Sequence, residues 1–73
     1  MNNFILTGEI LWVTEVIMAI KTKENFKFEI IAYKMTEGLK EGDLVAVKGK
    51  LGSNEDGIYV TAEKIAKLEK VEE

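Results

Sequence analysis

Along most of this chain apolar and polar residues alternate with a period of two, the pattern of half-buried strands and not of helices. A first strand over residues 3–13 opens with Phe4-Ile5-Leu6-Thr7-Gly8-Glu9-Ile10 and runs through a short bend into a second over residues 14–22. In that second run Val16, Met18 and Ile20 share one face and Glu15, Ile17, Ala19 and Lys21 the other. Lys23-Glu24-Asn25 is polar and reads as a hairpin turn, with Asn25 suited to a positive φ. The third strand, residues 26–33, places Phe26, Phe28, Ile30 and Ala32 in the core beside Phe4, and Lys27, Glu29, Ile31 and Tyr33 outside. Residues 35–41 have the length of one or two helical turns, but Gly38 lowers helical propensity by about 1 kcal/mol, which predicts a short helix or turn. A fourth strand over 43–51 turns Val45 and Val47 inward and Ala46, Lys48 and Lys50 outward. Gly52-Ser53-Asn54-Glu55-Asp56-Gly57 reads as a compact turn, and a fifth strand, residues 58–68, completes one domain of residues 1–68 with a frayed end at 69–73.

Gly8 and Gly49 fall inside strands, where a missing Cβ lets the backbone bend sharply and approach a neighbour. Two strands bent in this way, within 73 residues, predict an all-β fold: a five-stranded OB-type barrel with one short helix or turn between strands three and four.

So short a chain buries only about 60% of its unfolded surface, which favours self-association as a source of stability. With no cysteine and no histidine, disulfides, thiolate chemistry and the usual zinc sites are excluded. The carboxylates are scattered, and Ser53 or a threonine with a lysine base forms no recognisable nucleophile motif, so neither an enzyme nor a bound cofactor or metal is expected. There is no signal-like segment and no apolar run near the roughly 20 residues of a membrane span, which predicts a soluble cytoplasmic protein. The net charge of −3 argues against strong nonspecific polyanion binding. All ten cations are lysines, so bidentate guanidinium readout is absent and any nucleic-acid contact is tolerant of sequence.

Asn2-Asn3-Phe4-Ile5-Leu6-Thr7-Gly8-Glu9-Ile10 resembles the opening Asn-x-Val-x-Leu-x-Gly-x-Leu of the bacterial single-stranded DNA-binding protein family. Lys40-Glu41-Gly42-Asp43-Leu44-Val45-Ala46-Val47-Lys48-Gly49-Lys50-Leu51 is similar to its Lys-Gly-x-x-Val-x-Val-x-Gly-x-Leu, a pattern that other OB domains share. The resemblance covers nearly the whole chain and implies sequence-nonspecific binding of single-stranded DNA, or RNA, by a homodimer or homotetramer. The sequence departs from the family in three respects. An extended hairpin between strands four and five is not expected here, and Lys70-Val71-Glu72-Glu73 does not match the family's acidic-Pro-Phe ending. The tryptophan and basic residue usual on the family's third strand are replaced by Lys27 and Glu29, while the aromatic at that strand's end is kept as Tyr33.

Nonspecific single-strand binding needs aromatic faces for bases and cations for phosphates. Tyr33, Trp12 and Tyr59 are the candidate stacking residues; Lys21, Lys23 and Lys27 around the first hairpin, with Lys48 and Lys50 on strand four, are the candidate basic track. Each has a plainer alternative, the aromatics as subunit contacts and the lysines as solvated surface. Leu11, Ile17 and Ile31 lie on faces the core does not use and are candidates for an oligomer contact. The rival functions are an OB-type oligomerising or protein-interaction module, resembling a primosomal accessory factor, and an RNA-binding OB domain of the initiation-factor or anticodon type.

Overall fold

The computed structural model describes residues 3–55 and 57–69. Five strands, β1 (Asn3–Val13), β2 (Ile17–Lys21), β3 (Lys27–Ile31), β4 (Leu44–Asn54) and β5 (Gly57–Leu68), form one closed, ring-like sheet in the order β1-β2-β3-β5-β4. All neighbours are antiparallel except β3 and β5. The long β1 belongs to both halves, pairing through Glu9–Val13 with β2 and through Asn3–Glu9 with β4. Ile10, Met18, Ile20, Ile30, Val45 and Val47 are fully buried inside the ring. Each such side chain contributes about 1.5–3 kcal/mol by leaving water.

The two strand glycines sit where the ring is tightest. A Cβ on Gly8 would lie 2.7 Å from the Lys21 carbonyl oxygen, and one on Gly49 would meet the Thr61 carbonyl. Beside Gly49 the β4–β5 register slips by one residue, a bulge that adds the bend a small ring requires. A second bulge, between Ile10 and Trp12, has a further effect. Ile10 faces inward opposite Ile20, but the slip sets Trp12 opposite Ala19 and Val13 opposite Met18, so that Trp12 is turned to the outer face and Val13 packs on the core.

Four expectations need correction. Phe26 is not core: at 64% exposure it lies before β3 begins, beyond the end of the sheet, although it shares the parity of half-buried Phe28 and buried Ile30. The second strand starts only at Ile17, because Thr14 organises a loop: its Oγ1 accepts from the N–H groups of Val16 and Ile17 and donates to the Ile17 carbonyl at 3.1 Å. No helix forms between β3 and β4 among the described residues. There Met35, Leu39 and Asp43 each donate an N–H to the carbonyl three residues back, closing successive loops whose third residues, Lys34, Gly38 and Gly42, all have positive φ. Glycine takes that conformation without steric cost, so the chain reverses at every fourth residue instead of coiling. Finally, residues 52–57 are not merely a compact turn. β4 pairs with β1 only as far as Lys50 and β5 pairs with β3 only from Val60, yet β4 and β5 stay paired out to Asn54 opposite Gly57, so an extended hairpin arm stands clear of the ring.

Asn25 has the expected positive φ, 71°, and closes the β2–β3 hairpin through its N–H to the Thr22 carbonyl. The expected fraying at 69–73 falls, beyond Glu69, outside the described residues.

Candidate nucleic-acid interface

The outer surfaces of β2 and β3 meet in three cross-strand rows. Lys21 lies opposite Lys27, Ala19 opposite Glu29, and Ile17 opposite Ile31; from β1, Glu9 extends the first row beside Lys21 and Trp12 the middle one. Like charges placed directly across a ladder repel, and neither Lys21 nor Lys27 forms an ion pair with a described residue. Lys23 and Glu24 are exposed on the hairpin between them, next to the uncovered ring of Phe26.

β3 and β5 pair only at Ile30 with Val60 and Ile31 with Thr61. On the hairpin side of this short seam the two strands splay apart and leave a cleft of about 460 Å³ lined by Ile17, Lys27, Phe28, Glu29, Ile31, Leu51, Tyr59 and Val60. Tyr59 and Leu51 reach it from the arm. The Tyr59 ring lies over Gly52 on the facing strand, where a Cβ would come within 2.6 Å of it; this contact fixes the ring while leaving Tyr59 36% exposed.

Tyr33 lies past the end of β3. It is 63% exposed, with the Lys34 ammonium 5.3 Å from its ring centre, and it borders a recess of about 490 Å³ shared with Glu15, Val16 and Glu37. The 2.7 Å bond from the Ala32 N–H to the Val16 carbonyl ties the two loops of this end together. Trp12, Lys21, Lys27 and Tyr59 therefore share one face, with Lys23 on the hairpin at its edge and Tyr33 on a separate recess past the end of β3. Lys48 and Lys50 do not join them: β4 neighbours only β1 and β5, and Lys50 is 3.4 Å from Glu63. Lys48 lies between Ile5 and Lys64 on a second outer surface, over a depression of about 230 Å³ with Ala46 and Ala66.

Leu51 and Phe26 are the members of this site that the alternation did not single out. The alternation makes Leu51 the end of a strand and Phe26 core; the arm and the short β3 bring them to the surface.

A fourth recess, about 790 Å³, surrounds Asp43 at the opposite end of β4. The buried Asp43 carboxylate accepts from the Lys40 N–H and the Lys40 ammonium, both at 3.0 Å, and lies 3.4 Å from the Lys67 ammonium. The hydrogen bond from the Lys40 side chain, helped by its N–H and by both positive charges, holds this carboxyl below its ordinary range against the opposing effect of burial. Its lysines are engaged by Asp43, so the recess is a structural clasp. Among the described residues no three His, Cys, Asp or Glu side chains converge as metal ligands, and no helix is long and apolar enough to cross a membrane.

No protein-family model matches the chain, and no curated protein matches it.

Proposed function

We propose that this chain is a cytoplasmic OB-fold module, akin to the bacterial single-stranded DNA-binding proteins, that binds single-stranded DNA without reading an extended sequence. The strand order supports the fold, since β1 shared between two partners and a parallel β3–β5 seam suit a five-stranded Greek-key barrel. OB-folds take oligonucleotides on the face of strands two and three, between the loops that follow strands one and four. The observation that carries the function is the opposed pair Lys21 and Lys27, neither in an ion pair with a described residue, on a face where Lys27 and the exposed Tyr59 line one cleft and the exposed Trp12 stands in the next row. Phosphates would neutralise Lys21, Lys23 and Lys27, and bases would stack on Trp12, Tyr59 and Tyr33.

Titrating Trp12 fluorescence with oligo-dT and with a matched duplex, at two salt concentrations, tests this. Binding of the single strand should exceed that of the duplex and fall with salt at a slope near −0.7 per phosphate contacted. Matched oligo-U separates DNA from RNA preference.

The proposed homodimer or homotetramer assembles through the other outer surface. Its rows run Ile5–Lys48–Lys64, Thr7–Ala46–Ala66 and Glu9–Leu44–Leu68. Ile5 is 72% exposed, the centre is small, and cations at one end complement Glu9 at the other when a second copy packs face to face about a two-fold axis. This surface and the acidic balance also favour a second reading, a protein-interaction module; oligo-dT failing to bind even at low salt selects it.

A further inference from the structure

We propose that the face discriminates among bases through the row Trp12–Ala19–Glu29, favouring those that carry an exocyclic amine over thymine. This rests on the reading that the face binds single strands, and adds to it a chemical preference at one position.

Trp12 and Glu29 flank Ala19 on β2, so the two outer strands stand about 10 Å apart, twice the spacing between neighbours. Ala19 points outward yet is only 5% exposed, which requires larger neighbours to lean over it; Trp12 supplies the largest side chain in the row and remains 42% exposed. The row therefore offers a ring to stack on, set over the short Ala19, and a carboxylate at the far edge. A base laid on Trp12 spans that interval with its hydrogen-bonding edge toward Glu29. Glu29 is exposed and makes no hydrogen bond or ion pair with a described residue, even with Lys27 two positions away.

A carboxylate can only accept hydrogen bonds, and it pairs with the cytosine amine. The same holds for the amines of adenine and guanine. Thymine offers one N–H set between two carbonyl oxygens, which repel the carboxylate. Phosphate is repelled too, so Glu29 suits a base edge and not the backbone.

The test compares oligo-dC with oligo-dT of equal length on the whole chain, by Trp12 fluorescence, in the parent, in Glu29→Gln and in Glu24→Gln. The parent should bind oligo-dC about tenfold more tightly. Glu29→Gln, which can both accept from cytosine and donate to thymine, should bring the two within about twofold, whereas Glu24→Gln removes the same charge outside the row and should leave the ratio intact. Equal binding by the parent, or a preference that survives Glu29→Gln, overturns the inference while the single-strand reading stands. Binding of neither oligonucleotide overturns both.

Discussion

The two outer surfaces of the sheet repeat one electrostatic motif in different company. Lys21 opposes Lys27 on the β2–β3 side, and Lys48 opposes Lys64 on the β1–β4–β5 side. Around the first pair stand Trp12, Phe26 and Tyr59, with a cleft between splayed strands; around the second are Ile5, Ala46 and Ala66 over a shallow depression, with no aromatic side chain. Opposed lysines alone do not mark a nucleic-acid site, since the same pair serves a mixed apolar surface equally well. In the proposed reading the rings make the difference, because stacking contributes about 1–3 kcal/mol per base and aliphatic side chains offer no equivalent plane.

Charge reversal probes this contrast most strongly. Lys21→Glu with Lys27→Glu should weaken oligo-dT binding on the order of 100-fold, as two phosphate contacts are replaced by two repulsions. Lys48→Glu with Lys64→Glu should leave it within about threefold, measured at the same low salt. Comparable losses from both pairs would erase the distinction between the surfaces. Trp12→Ala should cost about 1–3 kcal/mol in oligo-dT affinity, read by anisotropy of a labelled strand, with the fold retained. Ile5→Lys should do the reverse, shifting sedimentation toward the 8.2 kDa monomer and sparing DNA affinity.

The smallest effect lies away from both surfaces. The Asp43 carboxyl has a lower pKa folded than unfolded, so its contribution to stability is present above the ordinary carboxylate value near 4 and is lost as pH falls through the lower folded value. Thermal melts between pH 6 and pH 2 should show this acid-side decline in the parent, and Asp43→Asn should flatten it.

Much of the ring was legible because alternation is a direct readout of a two-sided strand. β1 spans the expected residues, and Val45 and Val47 are inside while Lys48 and Lys50 are outside. The site was legible in its residue types but not in its grouping. Parity alone puts Trp12 on the side of Ile10; one extra residue in the bulge reverses that, and no residue preference at Leu11 announces it. Phe26 has inward parity but no sheet to be inside of. Lys48 and Lys50 share the residue type of a basic track, but the strand order separates β4 from β2 and β3. The connector failed as a helix because glycines four residues apart, at 38 and 42, favour repeated reversal over coiling.

The place of β5 between β3 and β4 has a consequence for how the molecule is made. It is the last of the five strands to be synthesised and, among the described residues, the one strand that pairs with both of those neighbours. Until it arrives, β4, β1, β2 and β3 can assemble only as an open sheet with an unpaired edge on each side. Such edges are templates for pairing with other chains, so aggregation during synthesis is governed by how soon residues 57–68 dock. Destabilising the docking of that late strand, for instance by Gly49→Ala, whose Cβ would clash with the Thr61 carbonyl, should reduce soluble yield more than its equilibrium cost implies.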